Sequence, residues 1–386
     1  MSRLRVVVLF GGRSVEREVS RISARTIVGG LDPSRYEVVP LAVGEDGRFL
    51  SAGVSAKLLS EGNVPGRYLA AEAAQLSEAL VPAEIGPGRA DVVFPIIHGS
   101  TGEDGALQGF FEILGLPYVG AGVTGSALGM DKAVFKALLH NAGIPSPRSY
   151  SLSLRERGGT GGLPPLASAS AAAEGHASRS ERPTEVRGKL DAAGVSLPLF
   201  VKPACGGSSV GITKVKRWED LDAALEVAWR YDDRALVEEG IDARELECAV
   251  LGNDLPKASV VGEIVPGHEF YDYDDKYRDD KAKLLIPADV PAAVAAQVQE
   301  LAVAVFKLCG LSGMARVDFF LDRKSGRLLV NELNTLPGFT SISMYPKLWE
   351  ASGLPLPKLL DELIRLALER KASRDALSRK PPAELA

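Results

Sequence analysis

Cysteine is scarce in this chain, basic charge is nowhere concentrated, and long apolar runs are missing. Each shortage excludes a class of protein. Only three cysteines occur in 386 residues, Cys205, Cys248 and Cys309. They show no metal-ligand spacing and point to a reducing compartment, with the cytoplasm as the expected location. The net charge of −5 and the lack of a long basic run argue against a nucleic-acid binder. No apolar segment reaches membrane-spanning length. The opening MSRLRVVVLFGG has too short an apolar run for a signal peptide. What remains is ordinary for a globular protein: 46% hydrophobic and 25% charged residues, in a chain long enough for two or three domains with real cores.

The first half reads as alternating strands and helices. Residues 4–10 form a continuous apolar run, as a buried parallel strand does, and Gly11-Gly12 then turn the chain into a helix from about Ser14. Glu16 in its first turn could simply complement the helix dipole. Residues 36–43 and 91–97 read as further strands; the latter runs into a loop of three glycines that begins at His98. This is the pattern of a doubly wound α/β unit, which binds ligands at the carboxyl ends of its strands. GAGVTG at 120–125 matches G-x-G-x-x-G but lies well inside the unit, with no acid-terminated strand after it, so it reads as a turn into one helix over 125–141 that carries Lys132. Residues 153–192 are low-complexity and poor in apolar side chains, and read as a surface insertion unable to order itself.

The second half is richer in strands. LPLFVK at 197–202 ends in Lys202 and is followed by ACGGSSVGI, a hairpin tip whose glycines and hydroxyls can close over phosphates. It is not a P-loop. Strands are expected at 235–239, 245–251 and 258–265, and the charged stretch 270–283 reads as an exposed loop. Helices are expected at 291–309 and 357–369, with a polar tail from Ala372. The hairpin at 313–334 is the most informative element. Folding it symmetrically about Ser325 sets Asp318 opposite Glu332 and Arg316 opposite Asn334, all on one face, because side chains two apart share a face. A solvated ion-pair face is the bland alternative. The stiff turn TLPG that follows at 335–338 tips the reading to hard oxygen ligands for Mg²⁺, which commonly also holds substrate phosphates.

Six ordered motifs together resemble the ATP-grasp superfamily, and within it the D-alanine–D-alanine ligases: GGRSVEREVS at 11–20, HGSTGEDGALQG at 98–109, GMDK at 129–132, VKPACGGSSVGI at 201–212, YDYDDKY at 271–277, and ARVDFFLD with NELNTLPGFTSIS between 315 and 343. The resemblance implies an α/β protein of three domains: a doubly wound N-terminal domain over 1–122, a central one over 123–237, and a C-terminal one over 238–370, followed by a tail. It implies ATP-dependent joining of two D-alanines through an acylphosphate, for peptidoglycan precursors, by a homodimer using two Mg²⁺ ions with Mn²⁺ as a substitute. The alternatives are a D-alanine–D-lactate ligase and a catalytically silent ATP-binding module. By resemblance, Asp318, Glu332 and Asn334 would hold the metal, and Lys132, Lys202 and Lys276 the ATP phosphates. Glu238 and Glu245 would take the adenine amine and the ribose, beside backbone groups near Glu239 and Ile241. Arg316 and the Gly338 N–H would form an oxyanion hole. Glu16 would bind the first substrate's ammonium and His98 a phosphate, while Ser343 and Met344 would receive the second substrate's carboxylate. Tyr277, Ser208 and Glu16 would close the loop by hydrogen bonding. Cys205 departs from the family's usual tip sequence and is expected to be a neutral filler.

Overall fold

The computed structural model describes residues 3–60, 81–86, 88–153, 183–266 and 283–377. Three sheets carry the architecture. The first is parallel, in the order β2–β1–β3, with β1 at Leu4–Gly11, β2 at Tyr36–Val43 and β3 at Val92–Pro95. Helices α1 (Arg17–Gly30) and α2 (Ala52–Ser60) lie in the connections. The unbroken apolar run of β1 has a direct cause. Val6, Val8 and Phe10 point into one core, while Val7 and Leu9 point into a second on the opposite face. After α3 (Ala106–Leu114), where one helix is expected over 125–141, two form: α4 (Val123–Met130) and α5 (Lys132–Asn141). The break falls at Asp131, whose side chain accepts a hydrogen bond from Val134 N (3.0 Å) and caps α5.

The second sheet is antiparallel, β4–β7–β5–β6, built from β4 (Ser149–Ser153), β5 (Leu199–Pro203), β6 (Thr213–Val215) and β7 (Arg234–Glu239). Helices α6 (Pro183–Ala192) and α7 (Leu221–Ala228) cover one face. Helix α6 corrects the reading of 153–192 as a segment unable to order itself. Val186 and Leu190, spaced i and i+4, both bury themselves in this core, a pattern that polar neighbours obscure in the sequence. Residues 154–182 lie outside the described part of the chain.

The third sheet, β10–β9–β8–β11–β12, is also antiparallel: β8 (Ala243–Gly252), β9 (Lys257–Val265), β10 (Lys283–Leu285), β11 (Gly313–Asp322) and β12 (Leu328–Asn334). Helix α8 (Ala292–Leu308) packs its Val298, Val305 and Phe306 against Leu246, Cys248, Ala315, Val317 and Phe319. The alternate residues on these strands, Glu245, Glu247, Arg316 and Asp318, therefore project from the other face. Helices α9 (Met344–Ala351) and α10 (Leu356–Asp375) complete the described fold; α10 continues to Asp375, past the point where a polar tail was expected. No helix among the described residues is long and apolar enough to cross a membrane.

Candidate active site

The polar faces of the two antiparallel sheets and the start of α1 enclose a cleft of about 930 Å³. Every expected site residue that falls within the described structure lines this one cleft: Glu16, His98, Lys132, Lys202, Ser208, Glu238, Glu239, Ile241, Glu245, Arg316, Asp318, Glu332, Asn334, Gly338, Ser343 and Met344. Lys276 and Tyr277 lie outside the described residues.

The β11–β12 hairpin supplies one wall. Asp318 pairs with Glu332 and Arg316 with Asn334, as the symmetric fold about Ser325 expects, yet Phe319 pairs with Val330. The register slips by one between Asp318 and Phe319. The tip is therefore centred half a residue earlier than expected, and the bulge at Asn331 restores the pairing that sets the two carboxylates side by side. Each carboxylate already holds a cation. Arg316 grips Asp318 fork to fork, Nε–Oδ1 and Nη2–Oδ2 both 2.7 Å, and Lys132 Nζ lies 2.9 Å from Glu332 Oε1. Burial disfavours both cations, but the neighbouring carboxylates outweigh it and their pKa values rise. Asn334 turns its amide oxygen to Leu336 N at 3.0 Å. Among the described residues no trio of His, Cys, Asp or Glu encloses a metal unaided. Two carboxylates and an amide oxygen suit Mg²⁺, which usually keeps waters and phosphate oxygens in its remaining positions.

The opposite wall comes from β5, β7 and the glycine-rich tip after β5. Lys202 Nζ sits 2.6 Å from Glu238 Oε1, and Lys136 Nζ lies 3.0 Å from Glu238 Oε2. The Glu238 side chain is 1% exposed. Burial alone would raise its pKa, but Lys136 and Lys202 together hold it below the usual range, while burial lowers that of Lys136. Lys132 also anchors the tip: its backbone N donates to Ala204 O (2.9 Å) and its Nζ to Gly206 O (2.5 Å). Ser208 and Ser209 adopt positive φ, 51° and 58°, conformations that side chains seldom take without compensation. The strained Ser208 hydroxyl donates to Glu16 Oε1 across the mouth of the cleft. Burial, with Asp131 and Asp232 beside it, pushes the Cys205 thiol up to about 12, so it stays protonated, as a filler would. Glu239 directs its carboxylate and its N–H to the Arg148 backbone, at 2.8 and 2.9 Å.

Two buried serines of α1 bring the floor together. Ser20 accepts from Gly11 N (2.8 Å) and donates to Ile96 O (2.5 Å), tying the ends of β1 and β3; Ser23 accepts from Phe339 N (3.0 Å), seating the 335–340 turn. A Cβ on Gly338 would come 2.9 Å from Ser343 Oγ, so a side chain there would displace the serine hydroxyl. His98 is buried against Glu103, Nδ1–Oε1 3.3 Å, and its Nε2 faces Gly338. Burial opposes a charge on both groups: it raises the pKa of Glu103 against the pull of His98, while on His98 it is outweighed by Glu103, so the imidazole holds its proton more tightly than usual. Ser343, hydrogen-bonded to Thr340 N at 2.9 Å, stands at the start of α9 next to Met344. The sequence did not single out Glu103, Lys136 or Glu247. Glu247 was detectable as the second acid of the alternating Glu245-Leu246-Glu247, and Lys136 as the i+4 repeat of Lys132.

The family model for the D-ala D-ala ligase N-terminus matches residues 5–121, and that for the D-ala D-ala ligase C-terminus matches 172–365. The chain is 44% identical to the D-alanine–D-alanine ligase A of Chromobacterium violaceum, with 98% of this chain and 99% of that protein covered. It is also 44% identical to a Thermoanaerobacter D-alanine–D-alanine ligase, over 96% and 98% of the two. Among solved structures it superposes on the D-alanine-D-alanine ligase from Coxiella burnetii with a TM-score of 0.79 at 37% identity, covering 97% of each chain. It also superposes on the VanG D-Ala:D-Ser ligase from Enterococcus faecalis, at 0.77 and 34%, covering 95% of this chain and 100% of the other. With relatives this similar over almost their whole length, the chain belongs to the D-alanine–D-alanine ligase family.

Proposed function

We propose that this protein joins two D-alanines at the expense of ATP, in the cytoplasm, to supply a peptidoglycan precursor. The observation that carries the reading is the convergence on one cleft of two lysines, an arginine, paired carboxylates and a glycine-rich tip. ATP would lie between the two antiparallel sheets, its adenine amine at Glu238, its ribose at Glu245, its adenine edge along Glu239 to Ile241, and its phosphates at Lys132, Lys202 and, from the 270–283 segment, Lys276. Asp318, Glu332 and Asn334 would hold Mg²⁺, which when bound neutralises charge on the transferring phosphoryl group.

Glu16 would fix the ammonium of the first D-alanine. The carboxylate oxygen of that D-alanine attacks the γ-phosphorus, the bond to ADP breaks, and the D-alanyl acylphosphate forms. The amine of the second D-alanine, held by its carboxylate at the start of α9 beside Ser343 and Met344, attacks the acyl carbon. Arg316 and the Gly338 N–H would stabilise the tetrahedral oxyanion, and phosphate leaves. His98 would keep its proton for a phosphate oxygen. Ser208, Glu16 and Tyr277 would shut the cleft against water and spare the acylphosphate. Tyr277 is neutral at pH 7, and so gives an anionic hydroxy acid no advantage over zwitterionic D-alanine. The three-domain division at 1–122, 123–237 and 238–370, homodimer formation, and Mn²⁺ as a substitute belong to the same proposal.

The test is a competition at pH 7 between equal D-alanine, D-serine and D-lactate, with ADP release and product identity both followed. D-alanyl-D-alanine should dominate. Mostly mixed dipeptide or depsipeptide would overturn the specificity, and the absence of D-alanine-dependent ADP release would overturn the activity.

A further inference from the structure

Arg316 serves two anions from one nitrogen. Its Nε N–H is directed at Asp318 Oδ1, while Glu247 Oε2 lies 3.0 Å from the same Nε. Nε has a single hydrogen to give. Glu247 stands directly opposite Asp318 in the pairing of β11 with β8, and its side chain is 5% exposed. Glu247, Asp318 and Glu332 therefore form a row across three adjacent strands, with the guanidinium bound to two of the three. A divalent cation engaging Asp318 competes with Arg316 for the same carboxylate and repels it. Without a second anchor the guanidinium would be driven out of place when the reaction needs it.

We propose that Glu247 is a positioning residue that receives the Arg316 Nε–H when a divalent cation takes Asp318, so that Arg316 remains in the cleft. The inference rests on the reading of Asp318 as a metal ligand. Two features favour it. Glu247 lies on a strand bonded on both sides, to β9 and β11, so its position is fixed. Its Oε2 already lies 3.0 Å from Nε, so the hydrogen can pass from Asp318 to Glu247 with little movement of the guanidinium.

The test follows Mn²⁺ by electron paramagnetic resonance as it binds the full chain loaded with a non-hydrolysable ATP analogue. Glu247→Gln should weaken Mn²⁺ binding about tenfold, the scale of one charge-assisted hydrogen bond. It should also lower kcat while moving the KM for ATP little. Glu247→Asp, which keeps the charge but withdraws it from Nε, should weaken Mn²⁺ in the same direction and serves alone if the Gln variant does not fold. In an Arg316→Met background, or Arg316→Lys should that variant not fold, Glu247→Gln should have almost no further effect. Unchanged Mn²⁺ affinity in both Glu247 variants would overturn the proposal. So would an equal loss in the Arg316 background, which would mean that Glu247 acts only through space. Asp318→Asn separates the underlying reading: wild-type Mn²⁺ affinity there would show that Asp318 is not a ligand, whatever Glu247 does.

Discussion

Glu332 and Lys132 neutralise each other across the cleft, as Asp318 and Arg316 do. Metal entry would thus exchange two internal counter-ions, releasing Lys132 toward the phosphates and leaving Arg316 to Glu247. Glu332→Gln removes a charge beside the transferring phosphoryl group, and turnover should fall at least about 100-fold with the fold intact. Steady-state ADP release checks this, and near-normal activity would sink the metal assignment. The His98–Glu103 pair gives a prediction with a defined sign. Glu103 outweighs burial and raises the imidazole pKa, so the His98 NMR titration should have its midpoint above the ordinary 6.5. In Glu103→Gln burial is opposed only by the charge of Glu16 and the Leu336 backbone, and the midpoint should fall. A midpoint that does not move would show that Glu103 does not hold the proton. The sequence revealed the Asp318–Glu332 pair because the period of two and a turn are local signals. For Glu247 and Lys136 it carried only a spacing signal, because their partners lie far away along the chain and come close only when strands from different parts of the chain pair.

At the scale of elements, the Asp131 break has a function that a single helix over 125–141 would lack. It starts α5 at Lys132, caps that start, and sets the lysine against the glycine-rich tip. Asp131 also pairs with Arg234 at 2.5 Å, a largely buried contact beside the cap. Asp131→Ala should cost about 1–2 kcal/mol, read as a lower urea midpoint, and should raise the KM for ATP as Lys132 loses its fixed origin. An unchanged KM with the stability lost would confine Asp131 to the cap. The break could not be read from composition, because Met130-Asp131-Lys132 interrupts no apolar period. Helix α6 was hidden for the opposite reason. Its two buried residues stand among polar ones, and their burial depends on a sheet face assembled from strands both before and after them.

At the scale of the whole molecule, the alternation of strands and helices announced the parallel sheet, and the family motifs announced the cleft. Neither announced where the last helix docks. Leu359, Leu360, Leu363 and Ile364 of α10 share one core with Val6, Val8 and Phe94 of the first sheet. Arg370 extends the attachment by donating to the carbonyls of Tyr118 (3.0 Å) and Gly120 and lying over the Tyr118 ring. Strand β1 is synthesised long before α10, so part of its apolar face is covered only late. Until α10 is made, the part of that face left by α1 and α2 waits for a partner not yet synthesised, the kind of surface that chaperones retain and that aggregates when they do not. Residues 1–122 expressed alone should bind a hydrophobic dye and yield quickly to protease, and adding a peptide spanning 356–375 in trans should reduce both. A fragment that is compact and protease-resistant by itself would show that the N-terminal unit matures before the chain is complete.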